Sequence, residues 1–192
     1  MDIETVRTEA LRKVGRNVVN FAKIEAGLKL LLSLNQSDGT AQTISEQWRR
    51  SQTHPNKKTL GLLVQEFNKK IMVDPSQAVH PADCSGSGIS LSLWVTSNNP
   101  DRLKAQKRAL SAIVAERNRL IHQDLAQLDT TDIEDYRQLI ARLDEQNPRL
   151  LTHLETLGWI LELVREGWTQ VLSLLQSPEF LQQPESNSDD AE

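Results

Sequence analysis

One cysteine, Cys84, stands in 192 residues, so no internal disulfide can form and no set of thiolates exists for a structural zinc. His80 and Cys84, four residues apart and without a further pair, are too few to suggest a metal site, and neither a metal nor another cofactor is expected. No apolar run approaches membrane-spanning length, no glycine-rich loop is placed to cradle phosphates, and no segment repeats. The first residues, MDIETVRTEA, resemble neither a signal peptide nor a transit peptide. A cytoplasmic protein without a membrane partner is the expectation.

What the chain does have is helical periodicity. At 38% hydrophobic and 25% charged it can bury one sizeable core, which predicts a single domain over 1–180 and an acidic, disordered tail over 181–192. Ile3, Ala10, Val14, Val18, Phe21, Leu28 and Leu32 share one face of a helix over 3–34, with Glu25 in the middle of that face and a stop over 33–39. A shorter helix is expected over 43–52, opened by a Thr43–Glu46 capping box and closed by Pro55, with His54 in the turn that follows. Leu60, Leu63, Val64, Phe67 and Ile71 then mark a helix over 57–72.

Residues 73–98 change character. Pro75, Pro81, Gly86 and Gly88 break any helix, and the alternation from Ile89 to Val95 predicts a short strand or hairpin that must pack on the bundle or pair across a dimer. Beyond 128, Thr131 and Glu134 form a capping box for a helix to about Asn147. Pro148 starts or kinks the last helix, which carries Leu150, Leu151, Leu154, Leu157, Leu161, Val164, Trp168 and Leu175, with His153 as a packed or rim residue. Long stripes and short connections predict an all-α, up-and-down bundle of about five helices, with the 73–98 insertion as its only strand-bearing part.

The stretch 99–128 is the chemical centre of the sequence. Asn99 is a good N-cap, Pro100 suits the first helical position, and Asp101 complements the dipole. Leu110, Ile113, Val114, Leu120, Ile121, Leu125 and Leu128 form its apolar stripe, and Arg117 falls inside that stripe, where a guanidinium needs a partner. Asn118 follows directly and His122 comes five residues after Arg117. Although the net charge is −4, residues 101–122 hold six basic side chains, Arg102, Lys104, Lys107, Arg108, Arg117 and Arg119, against Asp101 and Glu116. A local basic face of this kind is compatible with phosphate binding.

An arginine followed by a polar residue and, four intervening residues after the arginine, by histidine on a late helix of a small helical domain resembles the HEPN superfamily, many of whose members are metal-independent endoribonucleases. The resemblance implies Arg117 and His122 as a catalytic pair, Asn118 as the assisting polar residue, and a homodimer joined along the motif helices that brings two copies of each to one cleft. It also implies RNA as substrate, a role as toxin or antiviral defence effector, and a cognate antitoxin or regulatory protein as partner. Lys107, Arg108 and Arg119 are the candidates for RNA backbone contacts, and Glu25, an acid in its own apolar stripe, is a candidate counter-ion for Arg117 or Asn118. On an ideal helix five residues rotate by about 500°, so His122 points roughly 140° away from Arg117. The two converge if the helix bends near Leu120 or if each Arg117 works with the other chain's histidine, and both alternatives stand at this point. Two further readings are a non-catalytic HEPN-like module that binds nucleotide, RNA or a protein, and an unrelated helical adaptor in which Arg117 is a structural ion.

Overall fold

Asp2 turns the chain into its first helix: the Asp2 side chain accepts the Thr5 N–H at 2.8 Å, satisfying a donor that the first turn leaves free. In the computed structural model, which describes residues 2–39, 43, 46, 57–78, 89–175 and 177, this helix is α1 (Ile3–Leu34). It is followed by α2 (Leu60–Lys70), α3 (Pro100–Arg119), a π-helical turn (Leu120–Asp124) and α4 (Ile133–Leu175). The protein is predominantly helical, with four α-helices among the described residues where about five were expected. The expected helix over 43–52, His54, His80, Cys84 and the tail over 181–192 lie outside the described residues, apart from Thr43 and Glu46.

A strand does form in the 73–98 insertion, as β2 (Ile89–Ser92), but its partner lies elsewhere. It pairs antiparallel with β1 (Gln36–Gly39), in the stretch just after α1 that reads in sequence as a mere helix stop, with Gln36 opposite Ser92 and Gly39 opposite Ile89. The Leu93 N–H donates to the Asn35 carbonyl at 3.2 Å and the Val95 N–H to the Ile71 carbonyl at 2.7 Å, so the insertion is tied to the ends of α1 and α2. The four polar or glycine residues QSDG carry no strand signal, because a two-stranded ribbon draws its order from this tethering.

The directions of the four described helices follow from which residues meet across them. Lys13 meets Asp144, Asn17 meets Gln146 and Gly27 meets Leu157, so α1 and α4 run parallel. Glu116 meets Arg149, and Gly61 meets Val114 while Asn68 meets Lys107, so α3 runs antiparallel to both α4 and α2. Helix α2 therefore points the same way as α1. A Cβ on Gly27 would lie 3.6 Å from Leu157, which marks how closely α1 and α4 approach there.

The core is aliphatic, with Ile24, Leu28, Leu31, Leu63, Ile71, Ile113, Leu120, Leu139, Leu143, Leu150 and Tyr136 almost wholly enclosed. A polar layer interrupts it between α1 and α4. Asn17 is fully buried and donates to the Leu143 carbonyl at 3.0 Å and to Gln146 Oε1 at 2.9 Å; Asn20 donates to Asn147 Oδ1 at 3.0 Å. This shifts the buried face relative to expectation: Val18 is exposed, and its neighbours Asn17 and Asn20 face inward. The layer sits just before Pro148, which lies inside one continuous helix and neither starts nor ends one. Proline disturbs the carbonyls of the preceding turn. Arg16 and Asn17 donate to the Leu143 carbonyl, and Lys13 and Arg16 bind the Asp144 carboxylate, so the turn before the proline is tied to the neighbouring helix. The start of α4 is also capped differently from the expected Thr131–Glu134 box: Asp132 accepts the Glu134 N–H at 2.8 Å, and Thr131 is bonded back to Asp129.

Candidate functional site

The helix that carries the motif begins as its sequence dictates, with Asn99 Oδ1 accepting the N–H groups of Asp101 (3.0 Å) and Arg102 (3.1 Å) and Pro100 in the first turn. Leu103, Leu110, Ile113 and Leu120 bury its inner face. Arg117 stands on this same inner side but is half-buried, and its Nη1 donates to Asn118 Oδ1 at 3.3 Å. The guanidinium thus finds a partner in the next residue. Asn118, Arg119 and His122 are exposed.

His122 sits inside the π turn. The Leu125 N–H reaches back five residues to the Leu120 carbonyl at 3.1 Å, the wide spacing that defines this winding. A π turn holds about 4.4 residues and so rotates roughly 80° per residue against about 100° in an α-helix. Two π-wound steps between Leu120 and His122 reduce the angle separating Arg117 from His122 from about 140° to about 100°. The helix is therefore underwound near Leu120, and the two side chains still diverge within a single chain.

Asp124 closes the turn. Its side chain is only 14% exposed, and Oδ1 lies 3.5 Å from Nε of both Arg119 and Arg142, so one carboxylate ties the π turn to α4. Arg142 Nε is buried and its contact with Asp124 is ionic, without the alignment of a hydrogen bond. A polar cleft of about 330 Å³ opens here, lined by Arg119, Gln123, Asp124, Gln127, Asp135 and Arg142 among others. Sequence reasoning singled out Arg119 and missed Asp124 and Arg142. An acid two residues after His122 in a basic segment was the available signal for Asp124, and nothing in the sequence marked Arg142.

The remaining candidates separate. Arg108 and Arg119, eleven residues apart, lie within about 20° of each other on the exposed face of α3. Lys107 is half-buried on the side turned toward α2, where its carbonyl accepts from Asn68 Nδ2 at 3.4 Å. Glu25 is bonded to Lys29 at 2.7 Å, one turn along its own helix at the edge of the α1 face, and this pairing replaces the expected contact with Arg117 or Asn118. Among the described residues, no three His, Cys, Asp or Glu side chains gather as metal ligands would, and no helix is long and apolar enough to cross a membrane.

A second cluster lies on the α3–α4 seam. Glu116 Oε1 accepts from Arg149 Nε at 2.9 Å, while its Oε2 is buried without a partner. One turn beyond Arg149, His153 is half-buried; burial lowers its pKa from the ordinary value, opposed by the nearby charge of Glu116. His153 faces a cleft of about 300 Å³ whose walls include Phe67, Met72, Gln106, Ala109, Thr152, Thr156 and Trp159. No protein-family model matches the chain, and neither a curated protein nor a solved structure is significantly similar to it.

Proposed function

We propose that this protein is a metal-independent endoribonuclease of the HEPN type, working as a homodimer in which each protomer supplies Arg117, Asn118 and His122. The observation that carries the reading is the run Arg117-Asn118-Arg119-Leu120-Ile121-His122 on a helix whose last turn is π-wound, with His122 exposed and Arg117 half-buried. Short π segments are frequent at functional sites, because the extra residue in the turn re-aims the side chains that follow.

The chemistry is that of phosphodiester transfer. Imidazole accepts the 2'-hydroxyl proton, O2' bonds to phosphorus, the P–O5' bond breaks, and a second imidazole donates a proton to O5', leaving a 2',3'-cyclic phosphate. Arg117 holds two phosphate oxygens as negative charge grows on the phosphorane, and Asn118, bonded to Arg117, fixes the plane of the guanidinium. The divergence of Arg117 and His122 within one chain is the reason for a dimer, in which the two histidines come from different protomers.

Purified protein incubated with total RNA in EDTA should produce fragments ending in cyclic phosphate. Arg117→Ala and His122→Ala should each lower the rate at least about a hundredfold without change in helix content. Strict dependence on added magnesium, or equal cutting of DNA, would reject the mechanism.

A further inference from the structure

Exposed cations on the long helices α1 and α4 are mostly held by acids one turn away on the same helix: Arg7 by Glu4, Arg12 by Glu9, Arg137 by Glu134 and Arg165 by Glu162. Around α3 the pattern changes. Among the described residues, the lysines and arginines that form no ion pair are Lys69, Arg102, Lys107, Arg108 and Arg117, on α3 or the adjoining end of α2, and Lys23 and Lys57 elsewhere. Asn68 Nδ2 reaches the Lys107 carbonyl and Ser111 Oγ, both at 3.4 Å, which sets Lys69, the next residue, beside this part of α3. At about 100° per residue, Lys104, Arg108, Ser111, Ala115 and Asn118 lie within about 40° of one line along α3, on the shoulder between its outer face and α2. Lys107 flanks that line on the α2 side. Because the steps from Leu120 to His122 are π-wound, at roughly 80° each, His122 falls in line with Asn118 and completes the row.

We infer that this shoulder is a track for the sugar–phosphate backbone of single-stranded RNA, on which Lys69, Lys104, Lys107 and Arg108 hold phosphates and lead the strand to His122. Cations left unpaired on a surface whose other charges are paired lack a counter-charge, and a nucleic-acid strand supplies one per nucleotide while releasing the ions condensed on it. The row from Lys104 to His122 is about 25 Å long, room for several nucleotides. Ser111 and Ala115, between the cations and the motif, are small and let a backbone lie close. The acids of α3 stand aside: Glu116 is turned to α4, where it meets Arg149 at 2.9 Å, and Asp101 lies at the far end, 3.9 Å from Lys104. Arg119, tied to Asp124, borders the track on its outer side.

The inference rests on the ribonuclease reading for the identity of the polymer, and its test does not depend on cleavage. A short deoxythymidylate oligomer lacks the 2'-hydroxyl nucleophile and reports binding alone. For the wild-type protein the logarithm of the association constant should fall linearly with the logarithm of salt concentration, by about 0.7 for each phosphate held. Lys69→Gln and Arg108→Gln, both at exposed positions, should each flatten that slope by about 0.7 and weaken binding at low salt about fivefold. Lys23→Gln, the same loss of charge at an exposed position on α1, should change the affinity less than about twofold. Absence of wild-type binding at low salt, slopes equal in all four proteins, or a loss in Lys23→Gln as large as in Lys69→Gln would overturn the track. Poly-glutamate of equal charge bound as tightly as the oligomer would overturn its assignment to nucleic acid. Absence of RNA cleavage in EDTA alongside the expected slopes would strike the catalytic reading and leave the track standing, and cleavage with unaltered slopes would do the reverse.

Discussion

Asn17 carries two tasks at once, filling a fully buried position and donating from one amide to the Leu143 carbonyl and to Gln146. Asn17→Ala would leave a buried acceptor unpaired and a gap between α1 and α4, and urea titration should show a loss of about 2–3 kcal/mol. His153 gives a pH signature. Because burial lowers its folded pKa, the unfolded chain binds the proton first as pH falls below the ordinary 6.5, so stability is full above that value and declines as pH drops toward the folded pKa. A His153→Leu protein should show a smaller decline across the same window, measured by denaturant midpoints at a series of pH values. Glu25→Gln, given its local pair with Lys29, should leave cleavage unchanged.

The π turn is the element on which the proposed chemistry depends, and its winding is held from outside by the Asp124 carboxylate between Arg119 and Arg142. Asp124→Asn should release the turn from α4, speed hydrogen exchange of the amides over 120–125, and cost about 1–2 kcal/mol, discounted from a fully buried pair because both arginines are partly exposed. Cleavage should fall with it while the helices elsewhere keep their exchange rates. An exchange pattern identical to wild type would mean that local hydrogen bonding alone sets the π winding. In α4 the counterpart is Pro148, carried within a continuous helix whose preceding turn is tied to α1 through the Leu143 carbonyl and the Asp144 carboxylate.

At the scale of the whole molecule, three helices run one way and α3 runs against them, so the motif helix is the single reversed member among the described helices. A two-fold axis near its carboxyl-terminal end would bring two π turns together in opposite senses and let the Arg117 of one protomer work with the histidine of its partner. Light scattering at micromolar concentration should therefore give twice the 21.7 kDa chain mass. A monomer with full activity would contradict the composite site.

Local interactions were legible from the residues alone. The bounds of α1, the apolar face of α2 and the Asn99–Pro100 start of α3 follow from side-chain period and capping chemistry, which act within a few residues and need no knowledge of the rest of the chain. So does the spacing of Arg117 and His122 along the motif helix. What tertiary structure decided is what a partner distant in sequence sets: β1 as the mate of β2, Asn17 turned inward in preference to Val18, and Asp124 bridging to Arg142. In each case a buried polar or backbone group had to be satisfied, and the group that satisfies it is chosen by which helices meet. Periodicity specifies a face, and only packing specifies what that face meets.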